Sequence, residues 1–170
     1  MVVLIIIWYI SVSNSINVAA LKVDESESWI DVALTKQYNV LTKMLDTVKG
    51  YQKHEQSVLS ELVELRTGMS MTEKKVANDA MDKVSRDISV LVEAYPELKA
   101  NTNFVELQKA IVDVEEHLQA ARRLYNSNVN AYNTNLVVFP SSIVTNNMGV
   151  VKREFFEADE IKRQDVKMQF

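Results

Sequence analysis

The longest regular pattern in the chain runs from Phe104 through Leu107, Ile111, Val114, Leu118, Ala121, Tyr125, Val129, Tyr132 and Leu136 to Phe139. Nearly every step is three or four residues, which puts these side chains on one face of an α-helix. Asn103 followed by Glu106 reads as a capping box that opens this helix, and Pro140 closes it. A second box, Ser70 with Glu73, opens a helix carrying Ala77, Met81, Val84, Ile88, Leu91 and Tyr95 on one side. Pro96 ends it, having no amide hydrogen to donate. Upstream, Leu41, Leu45, Val48, Tyr51, Val58, Leu62 and Leu65 predict another helix, closing near Gly68. The first helix passes through Ile16, Ala20, Val23, Ile30 and Leu34 to about Tyr38, with Asn39 and Thr42 as turn and N-cap residues.

Short connections make consecutive helices antiparallel neighbours. The pattern therefore predicts an all-α protein, an antiparallel up-down four-helix bundle over residues 22–140. Residues 141–170 lack a long period and are expected to form a tail packing on the bundle. Residues 1–21 contain no charged side chain and extend the first helix as an apolar segment. As a helix they rise about 31 Å, close to the thickness of a hydrocarbon core. A membrane anchor is the favoured reading. Two alternatives stand beside it: a signal peptide cleaved after Val18-Ala19-Ala20, and a helix that merely prolongs the core. No basic residue precedes the segment, whereas Lys22, Lys36, Lys43, Lys49 and Lys53 follow it, which puts the bulk of a single-pass chain on the cytoplasmic side.

Composition removes several classes of function. Three Gly and two Pro leave few sharp turns, in keeping with long helices. Acids outnumber bases 23 to 19, for a net charge of −4, so there is no electrostatic footprint for nucleic acid. Without cysteine there is no disulfide, thiolate metal site or cysteine nucleophile.

The two histidines lack metal-binding context. Tyr51 stands three residues before His54 and Val114 three before His117, where a carboxylate-bridged bundle site needs Glu. His54-Glu55 is not followed by a second histidine at the spacing of a zinc protease. No metal or cofactor is expected. His54 instead reads as a seam histidine paired to a neighbour. Tyr125-Asn126 and Tyr132-Asn133 repeat at seven residues and return to one helical face. They suit a device that locks helix register, or else a recognition groove shared with Arg122 and Arg123. A polar loop at Tyr95 and Lys99 is the other candidate surface.

Taken together, several ordered motifs resemble the bacterial LemA family. They are Ile30-Asp31-Val32 with Leu34, Val48-Lys49-Gly50-Tyr51 with His54-Glu55, Glu93-Ala94-Tyr95-Pro96 with Leu98-Lys99-Ala100, and Asn103-Phe104. The series continues through Ala121-Arg122-Arg123 with Tyr125-Asn126, Tyr132-Asn133-Thr134, Phe139-Pro140-Ser141 and Phe155-Phe156. In place of the proline expected after the first bundle helix, this chain has residues around Thr42. The resemblance implies a bacterial cell-membrane protein with one N-terminal transmembrane helix, a helical bundle, and no catalytic residues to carry over. The expected function is that of a non-catalytic interaction or scaffold protein. Its expected contacts are the lipid bilayer, through the N-terminal segment, and a protein partner or a second copy. A ligand-binding or enzymatic bundle with a polar site near Tyr95, Lys99, Arg122 and Tyr125 is the alternative.

Overall fold

In the computed structural model, residues 1–49 and 68–156 are described. All regular structure among them is helical: α1 (Val2–Lys49), α2 (Met71–Ala94), the single turn α3 (Pro96–Lys99), α4 (Thr102–Val137) and α5 (Ser141–Met148).

The expected break between Tyr38 and Thr42 does not occur, and α1 continues to Lys49. No Gly or Pro interrupts residues 1–49. The short polar side chains that favour turns are satisfied within the helix instead. Thr42 Oγ1 donates to the Tyr38 carbonyl at 2.8 Å, and Thr35, Thr47, Ser26 and Ser28 likewise bond carbonyls four residues back. The core stripe is also longer than the apolar residues suggest, because Ser26 and Gln37 fill seam positions and are buried among Val23, Ile30, Leu34 and Leu41.

The capping box at Ser70 forms as expected: the Ser70 amide donates to Glu73 at 2.7 Å and the Glu73 amide to Ser70 Oγ at 3.3 Å. The one expected at Asn103 does not. Asn101 is the N-cap, its Oδ1 accepting from the Phe104 amide at 3.2 Å. Three consecutive residues, Asn101, Thr102 and Asn103, can all cap a helix, and the one that follows the α3 turn most directly takes the position. Pro96 ends α2 and opens α3.

The core lies chiefly between α1 and α4. Lys36 pairs with Asp113 at 3.6 Å, and Asn128 donates to the Lys22 carbonyl at 3.1 Å, so these two helices are antiparallel. Lys74 meets Glu27 and Asp31 while Asp82 meets Gln37, so α1 and α2 are parallel. On α4 the predicted face is the buried one, with Phe104, Ile111, Val114, Leu118, Ala121, Tyr125, Val129 and Tyr132 all enclosed. Phe139 departs from the expectation, since α4 ends at Val137 and the residue is 77% exposed. The part of the second predicted helix beyond residue 49, with His54, lies outside the described residues.

Candidate functional site

After α5 the chain turns at Gly149, whose φ of +64° suits a residue without Cβ. Residues 150–156 then run back along α4 without regular structure of their own. Their backbone amides and carbonyls need partners, and α4 supplies them from side chains. Asn133 Oδ1 accepts from the Arg153 amide while its Nδ2 donates to the Arg153 carbonyl, both at 2.9 Å. Asn126 repeats this at Phe156, at 2.8 and 2.9 Å. Between them the Tyr125 hydroxyl donates to the Glu154 carbonyl at 2.9 Å.

The dimensions explain the pairing. Seven helical residues rise about 10.5 Å, and three residues of extended chain cover about 9–10 Å. Asn126 and Asn133 are therefore spaced to read residues 156 and 153 in register. The expected partner of the Tyr-Asn pairs is a neighbouring helix; the hydrogen bonds of Tyr125, Asn126 and Asn133 go instead to the C-terminal segment. Tyr125 and Tyr132 are both buried in the core. Burial, with help from the charge of Glu27, pushes the Tyr125 hydroxyl up to about 12.

Arg122 closes the end of the ladder. Its guanidinium lies 4.6 Å from the centre of the Phe156 ring. Burial lowers its pKa, opposed by the nearby charges of Asp82 and Asp79. Its Nε and Nη2 are enclosed without hydrogen-bond partners among the described residues. Arg122 also lines a cleft of about 220 Å³ between α2 and α4, with Asp82, Arg86 and Glu115 among the other walls. Acids and bases alternate there, so the cleft carries no strong field of one sign. Arg123 points to solvent, its Nε donating to the Gln119 carbonyl.

A polar layer that the sequence reading did not identify joins α1 to α2. Lys74, 5% exposed, bonds Glu27 at 2.7 Å and Asp31 at 2.6 Å. Burial disfavours its charge, but the hydrogen bonds to Asp31 and Glu27 outweigh that and raise its pKa. Further along, Asp82 accepts from Gln37 at 3.1 Å and from Asn78 at 3.3 Å. The signal was present: Gln37 stands three residues after Leu34 and four before Leu41, and Lys74 seven before Met81.

Tyr95 and Lys99 do not join this region. They sit at the α2–α3–α4 turn, and Arg122 lies 20 residues into α4, about 30 Å away along the helix. The polar site expected from Tyr95, Lys99, Arg122 and Tyr125 is therefore not assembled. Only Arg122 and Tyr125 are brought together, with Asn126 and Asn133, beneath residues 153–156. His117 is exposed on α4 and bonded to its own Asp113. Among the described residues there is no group of three or more metal-ligating side chains.

Comparison with known proteins agrees with the motif resemblance. Protein LemA of Metamycoplasma hominis is 26% identical over 150 residues, covering 85% of this chain and 68% of that protein. The model of the LemA family matches residues 26–170, which include both Tyr-Asn pairs and the segment they hold. The chain belongs to the LemA family.

Proposed function

We propose that this protein is a membrane-tethered helical bundle that acts by contact with other proteins and carries no catalysis of its own. One observation carries the tether: α1 begins with uncharged turns that the rest of the fold leaves uncovered. Val2, Val3, Leu4, Ile5, Ile6 and Ile7 are each between 52% and 70% exposed. Of the described helices, α1 is the one long and apolar enough to cross a membrane. An exposed apolar surface of this size is costly in water and inexpensive in lipid. A single span and a cytoplasmic bundle complete the proposal. A protein partner or a second copy would be its binding target.

Alkaline extraction of membranes tests the tether. The full chain is expected to stay with the lipid and a chain lacking residues 1–21 to be released. Release of the intact, unprocessed chain overturns the reading, and cleavage after Ala20 replaces it with a signal peptide. Topology is tested separately, with single cysteines at Lys99 and Lys152. Both should resist an impermeant thiol reagent in whole cells, and labelling from outside would reverse the orientation.

A further inference from the structure

The α4–α5 corner is a second apolar surface, and its place in the fold gives it a specific occupant. Val137, Val138 and Ile143 are 49–59% exposed, and Phe139 is 77% exposed. The α1–α4 register set by Lys22 with Asn128 and by Lys36 with Asp113 puts residue 137 opposite about residue 13. The corner beyond it is thus level with Tyr9 and Val12, both packed on the core. Exposed apolar side chains from two separate parts of the chain therefore meet at one end of the molecule.

Charge is distributed to match. Residues 124–151 contain no Asp, Glu, Lys, Arg or His, and neither do residues 1–21. Charge resumes at Lys22 on α1 and at Lys152 and Arg153 on the returning segment. Two hydroxyls of the corner are bonded within it. Ser141 Oγ donates to the carbonyls of Asn135 and Val138, and Thr145 Oγ1 to those of Leu136 and Ser142. Hydroxyls bonded to the chain's own carbonyls lower the cost of contact with lipid.

If residues 1–21 lie in a bilayer, residues 9–13 of that segment run beside the corner, so the corner shares their depth. We propose that residues 137–143 insert into the bilayer interface beside α1. The protein would thereby hold its long axis steady against the membrane at two points. The depth below the level of Lys152 is several ångströms, in the range of interfacial insertion. With no charge in the patch, insertion is expected in neutral lipid and to be insensitive to salt. The proposal rests on the tether, and its test is arranged to separate the two.

The chain has no cysteine, so single cysteines at Val3, Phe139 or Glu116 can each be labelled cleanly with an environment-sensitive fluorophore. The full chain is reconstituted in phosphatidylcholine vesicles containing lipids with nitroxides at shallow or deep acyl positions. The label at Phe139 is expected to shift to the blue and to be quenched by the shallow nitroxide several-fold more than the label at Glu116. The label at Val3 is quenched in the same preparation. Quenching at Val3 with a water-like label at Phe139 overturns the corner and leaves the tether intact. Water-like labels at both positions overturn both. A blue shift at Phe139 without quenching by either nitroxide shows protein cover, by a second copy, and also overturns the proposal.

Discussion

Replacing Asn126 with alanine removes two hydrogen bonds, of 2.8 and 2.9 Å, from the Phe156 peptide. Phe156 is 4% exposed, so its amide and carbonyl have little access to water while the segment stays docked. A hydrogen bond of this kind contributes about 1 kcal/mol net, and two contribute about 2 kcal/mol. Because the segment can lift away locally, the loss is expected as easier opening of residues 153–156 before any global unfolding. A change of about 2 kcal/mol corresponds to a roughly 30-fold larger opening constant. Native-state hydrogen exchange at the Phe156 amide reads that constant directly. Asn126→Asp should behave at least as badly, since it puts a carboxylate oxygen against the Phe156 carbonyl in place of a donor. Asn133→Ala should act on the Arg153 amide more weakly, because Arg153 is exposed to water that can substitute. Unchanged exchange at Phe156 in both Asn126 variants would refute the claim that side-chain carboxamides hold this segment.

Leu118→Ala should cost about 2–5 kcal/mol by leaving a cavity in a side chain's place, whereas exposed Glu116→Ala should cost no more than about 0.5 kcal/mol. Denaturant unfolding would measure both, and equal losses would mean that α4 buries a different face. Lys74→Ala removes charge-assisted bonds to Glu27 and Asp31 and should destabilise the α1–α2 contact by about 1–3 kcal/mol, with wild-type stability as the refuting result. For Tyr125 the folded pKa, about 12, lies above the ordinary value of 10.0, so its contribution is complete below pH 10 and lost as pH rises towards 12. Lys74, whose pKa is also raised, acts in the same direction. Stability followed above pH 10 should therefore fall less steeply in Tyr125→Phe than in the wild type, and parallel curves would exclude this role for the hydroxyl.

The seam of α4 was readable because its apolar residues recur without interruption and no competing turn former stands inside it. The length of α1 was not. Asn39 and Thr42 favour turns in isolation, and Ser26 and Gln37 conceal a stripe that continues in space through polar side chains. Long-range packing against α4 overrides both local preferences. The Tyr-Asn repeat announced a register device at seven-residue spacing, yet its partner could not be read from one strand of sequence. Residues 153 and 156 become recognisable only when their backbone lies beside α4. In the same way Tyr95 and Lys99 look like company for Arg122 by residue type, and the rise of a straight helix keeps them apart.

In the proposed tether, the exposed and uncharged start of α1 is buried in lipid. Spin labels placed singly along residues 2–24 of the full chain in bilayers measure it most directly, through collision with oxygen, which concentrates in lipid, and with a water-soluble nickel complex. Oxygen-dominated collisions are expected from residue 3 through residue 7, giving way to nickel-dominated collisions by Lys22 and Asp24, where charge resumes. Nickel-dominated collisions along the whole of residues 3–7 would contradict it.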